Sequence, residues 1–269
     1  VNIGLIGYGT IGRVLTRAIE DGKAGPVRLV AVKDMDEEAP FESTAGGPIY
    51  TADIDAFLAN DMQVVVEAAS QAVLKEYAPR VLSSGRDLFV MSTGTFSDEV
   101  FLRKIMDLSS KYAARLFIPS GAIGGLDVLS AACIDEIQEV TLTTTKPPRA
   151  LKGARSTLEP DLDLDRLTEP TCIYDGPAEE AVVKYPKNVN VAAALSMAGI
   201  GFARTTVRIV ADPKAQINQH RIEAKGSFGE LTLELKLRPS PSNPKTTYLA
   251  ALSVVSLVKK LTERIRVGT

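Results

Sequence analysis

The chain opens on a short apolar run, Val1 to Ile6, that breaks into Gly7-Tyr8-Gly9-Thr10-Ile11-Gly12. In a Gly-x-Gly-x-x-Gly turn the first glycine lets the chain swing sharply off a strand. The second lets backbone approach a pyrophosphate, and the third lets the next helix pack closely on the sheet. The segment from Thr10 to about Asp21 places Ile11, Val14, Leu15, Ala18 and Ile19 at helical spacing, and a second apolar run, Val27 to Val32, leads to Asp34. An acid about 20 residues beyond the last glycine is the spacing of a ribose-binding carboxylate. Strand, glycine turn, helix, strand and acid together predict a dinucleotide site rather than an empty structural turn. Gly7, Tyr8, Gly9, Thr10, Ile11 and Gly12 form its phosphate-binding turn, with the positive end of the helix dipole aimed at the phosphates. Asp34 accepts from both ribose hydroxyls and repels a 2′-phosphate, which favours NAD. The cationic neighbour Lys33 keeps NADP open.

Apolar runs alternate with helical stretches as far as Ile118, the pattern of a doubly wound parallel sheet. Strands are expected at Asn2–Ile6, Leu29–Val32, Ile49–Thr51, Gln63–Glu67, Asp87–Met91 and Arg115–Ile118. Helices are expected at Asp53–Asn60, Gln71–Ser84 and Ser97–Lys111. Ligands of such sheets lie beyond the carboxyl ends of the strands. The residues found there are small: Ala68-Ala69-Ser70, Ser92-Thr93-Gly94-Thr95, and Pro119-Ser120-Gly121-Ala122. They suit a flat ring and its ribose lying against backbone, and equally suit ordinary tight connections.

Beyond Ile123 the period changes to two. Glu139–Thr145 and the long stretch Gln219–Arg238 alternate apolar with polar residues, which predicts a largely antiparallel sheet with one wet face. Thr157–Pro170 is acidic and bounded by proline, and is expected as a surface excursion. Pro239 to Pro244 reads as a stiff connector to a last helix, Lys245 to about Arg266. Its apolar stripe of Leu249, Leu252, Val255, Val258, Leu261 and Ile265 needs a partner, expected on the first domain. The fold class is thus α/β: a Rossmann-type domain over 1–120, an α+β catalytic and oligomerisation domain over 121–243, and a C-terminal helical segment over 244–269.

Composition narrows the function. With 269 residues, 45% of them hydrophobic, the chain can bury a large core, and a formal charge of −2 provides no cationic field for nucleic acid. No apolar run is long enough to cross a bilayer, and no charged leader precedes the first strand, so a cytoplasmic location is expected. Cys133 and Cys172 are far apart and accompany a single histidine, a pattern of buried reduced thiols rather than of a zinc site or disulfide framework.

Three places carry candidate chemistry. His220, the sole histidine, is the residue whose ring titrates near neutrality, which suits a general acid or base. From the residues alone, a surface or hydrogen-bonded structural histidine is the stronger reading. Tyr185 to Ala194 includes Asn188 and Asn190, which either cap the alanine-rich helix that follows or present an amide to a carboxamide. Asn243-Pro244-Lys245-Thr246-Thr247 combines hydroxyls and an ammonium group at an expected helix N-terminus, suited to a carboxylate or to plain capping.

The opening GYGTIG, Ile118-Pro119-Ser120-Gly121-Ala122-Ile123-Gly124-Gly125-Leu126-Asp127, Thr144-Thr145-Lys146-Pro147-Pro148, Lys187-Asn188-Val189-Asn190-Val191-Ala192-Ala193 and Asn243-Pro244-Lys245-Thr246 together resemble the L-aspartate dehydrogenases over nearly the whole chain. The resemblance implies NAD(P)-dependent oxidation of L-aspartate to iminoaspartate, which hydrolyses or passes to quinolinate synthase in NAD biosynthesis. It makes His220 the active-site residue, and Ala122 and Asn188 contacts to the nicotinamide nucleotide. It also implies a homodimer or homotetramer joined through the second domain. On that reading Lys245 and Thr246 hold one substrate carboxylate, and Ser120 with the N–H groups near Gly121 holds the other. Ala69 and Ser70 border the cofactor. The alternatives are a related two-domain dehydrogenase of semialdehyde or dihydrodipicolinate type, and a dinucleotide sensor without turnover.

Overall fold

The apolar runs of the first half become one parallel sheet. In chain order the elements are β1 (Asn2–Ile6), α1 (Thr10–Glu20), β2 (Arg28–Lys33), β3 (Ile49–Thr51), α2 (Ile54–Leu58), β4 (Val64–Glu67), α3 (Gln71–Ser83), β5 (Asp87–Val90), α4 (Glu99–Tyr112) and β6 (Leu116–Phe117). Strand order is β3-β2-β1-β4-β5-β6, with every pair parallel. The order reverses between β1 and β4, where sheets of this type open a crevice for ligands. Helix starts are fixed locally: Asp53 Oδ1 accepts from Asp55 and Ala56 N–H, Ser70 Oγ from Val73 N–H, and Asp98 Oδ1 from Phe101 N–H. Each such cap is worth about 1 kcal/mol.

The computed structural model describes residues 1–35, 46–151, 157–158, 162–185, 190–265 and 267–268. Two compact units emerge, Val1–Gly121 with Ala250–Thr269, and Ala122–Leu249. The second unit contains α5 (Leu126–Ala132), β7 (Ile137–Lys146), β8 (Thr171–Pro177), α6 (Ala178–Lys184), α7 (Asn190–Ala198), β9 (Thr205–Ala211), β10 (Asn218–Gly226), β11 (Gly229–Leu237), β12 (Pro239–Ser240) and β13 (Asn243–Thr247). Its five-stranded sheet runs β11-β10-β7-β9-β8, antiparallel except for the parallel pair β7 and β9. One face buries Val140, Leu142, Val207, Ile209, Ile222 and Ala224 with helix residues Ala181 and Leu195. At about 1.5–3 kcal/mol per buried large aliphatic side chain, this face dominates the stability of the unit. The other face carries the exposed pairs Arg208–Asp175, Arg221–Glu223 and Lys225–Glu230, each worth about 1 kcal/mol or less.

Several expectations need correction. The last helix, α8 (Tyr248–Lys260), starts later than the apolar stripe suggests, because Asn243–Thr247 pairs antiparallel with Pro239–Ser240 as a small hairpin. The β-branched Thr246 and Thr247 favour that extended state. The buried side of α8 is Ala251, Val254, Val255 and Val258, while Leu252 and Ile265 are exposed. Val254, Val255 and Val258 share one core with Ile3, Leu5, Leu15 and Val66. The excursion Thr157–Pro170 is not wholly superficial, since Leu162, Leu164 and Leu167 pack against the core of the second unit. Cys133 and Cys172 are free thiols but half-buried rather than buried. Among the described residues, no helix is long and apolar enough to cross a membrane.

Candidate active site

In the first unit the glycines divide by what surrounds them. Gly7 has φ +97°, and a Cβ there would meet the Ala68 carbonyl and Ala69 Cβ at 2.8 Å. A Cβ on Gly12 would lie 2.2 Å from the Gly7 carbonyl oxygen. At Gly9 no atom lies within 4 Å of a would-be Cβ. Packing therefore demands the outer two glycines, and the middle one borders open space at the mouth of the turn. Gly9 is also the N-cap of α1 and has no side chain to occupy its first N–H groups, which leaves an anion-binding helix end. This is the arrangement a dinucleotide pyrophosphate requires, and Tyr8, Thr10 and Ile11 lie within it.

Asp34 follows β2 and reaches the same turn: its Oδ2 accepts the Tyr8 N–H and its Oδ1 the Met35 N–H. The Asp34 carboxylate is thereby fixed against the glycine turn. Lys33 does not join it. Consecutive strand residues point to opposite faces, so Lys33 is buried at 2% exposure with Nζ 4.4 Å from the Tyr77 ring centre. It is no partner for a 2′-phosphate.

Glu67, which the sequence reading passed over, closes β4 at the switch point and is 1% exposed. Its Oε1 accepts from Ala69 N–H at 2.8 Å and Ser92 Oγ–H at 2.7 Å, and its Oε2 from Ser92 N–H at 3.0 Å. Burial pushes its pKa up, against those hydrogen bonds, which hold it down. One carboxylate thus ties the exits of β4 and β5, beside Ala69 and Ser70. The Ala69 N–H serves this tie, and the Ser70 hydroxyl caps α3.

Gly121, at φ +63°, gives its N–H to Ser253 Oγ of α8 at 3.1 Å. That N–H is engaged inside the protein and is not a free donor for a substrate carboxylate. Ser120 beside it is half-buried, and Ala122 is 6% exposed. Lys245 and Thr246 lie on β13, so the expected helix N-terminus does not include them. Asn188 falls outside the described residues.

In the second unit His220 sits on β10, opposite Thr144 of β7 and Leu235 of β11. It is 4% exposed, with Thr144 Oγ1 3.0 Å from its Nδ1. Burial, reinforced by the Lys146 charge, pushes its pKa down to about 3. Burial alone brings Lys146 down to about 8. Burial thus keeps the imidazole neutral at physiological pH, with one nitrogen held by a hydroxyl. Thr144 and Lys146 were visible in the sequence only as part of a motif, and strand pairing is what brings them to His220.

The comparisons with known proteins agree with this division. The family described as aspartate dehydrogenase, C-terminal, matches residues 127–261, and that described as homoserine dehydrogenase, NAD binding domain, matches residues 7–119. An L-aspartate dehydrogenase of Methanosarcina barkeri is 41% identical, with 100% of both chains covered. One from Nitrosopumilus maritimus is 40% identical, with 99% of both covered. The crystal structure of aspartate dehydrogenase from Thermotoga maritima matches with TM-score 0.78 at 29% identity over 99% of both chains. A homoserine dehydrogenase from a hyperthermophilic archaeon, at TM-score 0.60 and 13% identity, shares the fold alone. On full-length identity and on the match across its second unit, the chain belongs to the L-aspartate dehydrogenase family.

Proposed function

We propose that this chain oxidises L-aspartate to iminoaspartate with NAD(P), or runs the reverse reductive amination, with His220 as the proton-transfer residue. The observation that carries this reading is the buried neutral imidazole held on Thr144 Oγ1 in a chain of this family. The open ground at Gly9, the uncapped start of α1 and the Asp34 carboxylate at the turn fit a dinucleotide. When bound, its nicotinamide supplies the hydride acceptor. The N–H groups opening α1 hold the pyrophosphate, and Asp34 holds the ribose hydroxyls. A carboxylate there, with Lys33 buried on Tyr77, favours NAD over NADP. The resemblance adds Ala122 and Asn188 as contacts to the nicotinamide nucleotide.

For Nε2 to take a proton, Nδ1 must carry one and donate it to Thr144 Oγ1, a hydrogen bond the hydroxyl oxygen can accept. Nε2 then accepts a proton from the substrate ammonium group, or from the water that attacks the imine to give oxaloacetate and ammonia. Ser120, Lys245 and Thr246 are carboxylate ligands by residue type. The same reading includes assembly as a homodimer or homotetramer, measurable by light scattering, and supply of the imine to quinolinate synthase.

The decisive assay is the near-ultraviolet absorbance of NADH after L-aspartate and NAD(P) are mixed with the protein. The reading expects NADH to accumulate. Dinucleotide binding without any turnover of L-aspartate would instead identify a sensor.

A further inference from the structure

The chain passes between its two units twice, from Gly121 to Ala122 and from Leu249 to Ala250. The whole second unit lies between these crossings in sequence, yet one side chain bonds to the first-unit residue of each. Ser253, in the second turn of α8, accepts the Gly121 N–H on Oγ at 3.1 Å and donates its hydroxyl hydrogen to Ala250 O at 2.7 Å. Both bonds lie within the first unit, and the first joins residues 132 positions apart. Helix formation does not ask for a serine here. Alanine is the better helix former, and a hydroxyl bonded back to a carbonyl of the preceding turn slightly disturbs a helix. Gly121, in contrast, needs an anchor. Its φ of +63° is one that glycine leaves at little cost, and no atom lies within 4 Å of a would-be Cβ, so side-chain packing does not hold it. The anchor itself is firm, because the neighbours Ala251 and Val254 are fully buried and Val254 shares the core with Ile3 and Leu5.

We propose that Ser253 is a positioning residue for the dehydrogenase reaction: its hydroxyl fixes the Gly121 peptide, and with it Ala122, the residue assigned above to the nicotinamide nucleotide. This rests on the function proposed above and adds a side chain that works through the backbone without touching the coenzyme. The effect is confined to one end of the dinucleotide. Gly9 and Asp34, which receive the pyrophosphate and the adenosine ribose on that reading, belong to the turn after β1 and the exit of β2, and Ser253 bonds to neither. Loss of the hydroxyl frees the peptide leading into Ala122, and a small misplacement of a reacting ring is costly in rate.

Ser253→Ala removes the acceptor and puts a better helix former in its place, so the full-length variant is expected to melt within a few degrees of the wild type. Hydrogen exchange of the NAD-free protein, read by mass spectrometry, is expected to quicken about 10-fold or more around Gly121 and to stay unchanged at the start of α1. With L-aspartate and NAD, kcat is expected to fall roughly 10-fold to 100-fold. The Kd for ADP-ribose, which lacks the nicotinamide, is expected to hold. Ser253→Thr keeps the hydroxyl and is expected to return both the exchange rate and kcat towards wild type, which a serine needed only for helix packing would not explain. Wild-type kcat or unaltered exchange around Gly121 in Ser253→Ala overturns the proposal. So does an ADP-ribose affinity that falls along with kcat, or a kcat in Ser253→Thr as low as in Ser253→Ala. A wild-type protein that forms no NADH defeats the dehydrogenase reading on separate grounds, because the exchange measurement needs no turnover and still decides whether Ser253 fixes the Gly121 peptide.

Discussion

Along β4 all four residues are buried, whereas along β11 half-buried and exposed residues alternate up to its last residue. A parallel strand covered on both faces has side chains committed to packing. On the proposed function, the first unit accordingly works through backbone and residues at strand ends: the N–H groups after Gly9, the Asp34 carboxylate beyond β2, and Glu67 closing β4. The second sheet has one polar face, and on its buried face two polar side chains stand within the strands themselves. His220 and Thr144 are interior strand positions, and Lys146 ends β7. On the proposed function, the first unit recognises with main chain, and the second performs chemistry with side chains.

The sharpest way to break this contrast is His220→Ala. A loss of about 1,000-fold in kcat is expected, with calorimetric NAD affinity unchanged. A turnover close to wild type would remove the side-chain chemistry from the second sheet. Next in size come the glycines. Gly12→Ala forces a Cβ onto the Gly7 carbonyl, so lost NAD binding and a lowered melting temperature are expected together. Gly9→Ala, facing open space, should melt like the wild type yet bind NAD roughly 10-fold to 100-fold more weakly. If both variants lost only stability, the turn would be a packing device and not a cradle.

Glu67→Gln tests whether a side chain organises the backbone site. Both carboxylate oxygens of Glu67 accept from a backbone N–H, so an amide NH2 in either place must meet a donor. A loss of about 1–3 kcal/mol in denaturant unfolding is expected, with weakened NAD binding. An unchanged midpoint would show that the β4 and β5 exits hold themselves.

The pH dependence of stability addresses the second unit. The unfolded imidazole protonates below its ordinary 6.5, while the folded one resists to about 3. Stability is therefore full above 6.5 and falls by up to about 1.4 kcal/mol per pH unit as the pH drops through that window. His220→Gln should remove this component of the acid slope, and identical slopes would mean that the ring protonates freely in the fold. Asp34→Ala carries the smallest expected effect, about a 10-fold shift of the NAD to NADP ratio towards NADP. A constant ratio would detach Asp34 from the ribose.

The first unit was legible because its signals are local. Glycine spacing, short apolar runs and an acid at the right distance specify a turn and a strand order without long-range information. The burial of Lys33 was within reach too, since alternation alone sends it away from Asp34. Glu67 was not, because an acid ending an apolar run looks like a solvated strand end until β5 supplies Ser92. In the second unit the period of two announced a sheet but not its register. Lys146 entered only within the Thr144 to Pro148 motif, and the pairing of β7 with β10 is what sets it near the imidazole. The hairpin of β12 and β13 was hidden because neither short strand has an alternating apolar pattern, so the helical stripe behind it was extended too far forward.

The first unit closes over two separated stretches, Val1–Gly121 and Ala250–Thr269, while the second is continuous. A ribosome therefore delivers every residue of the later unit before the earlier one has its full complement. Until α8 emerges, the surface destined for Val254, Val255 and Val258 stays bare on the nascent chain. The N-terminal unit thus finishes last, which reverses the usual order of vectorial folding and gives chaperones a defined interval in which to act.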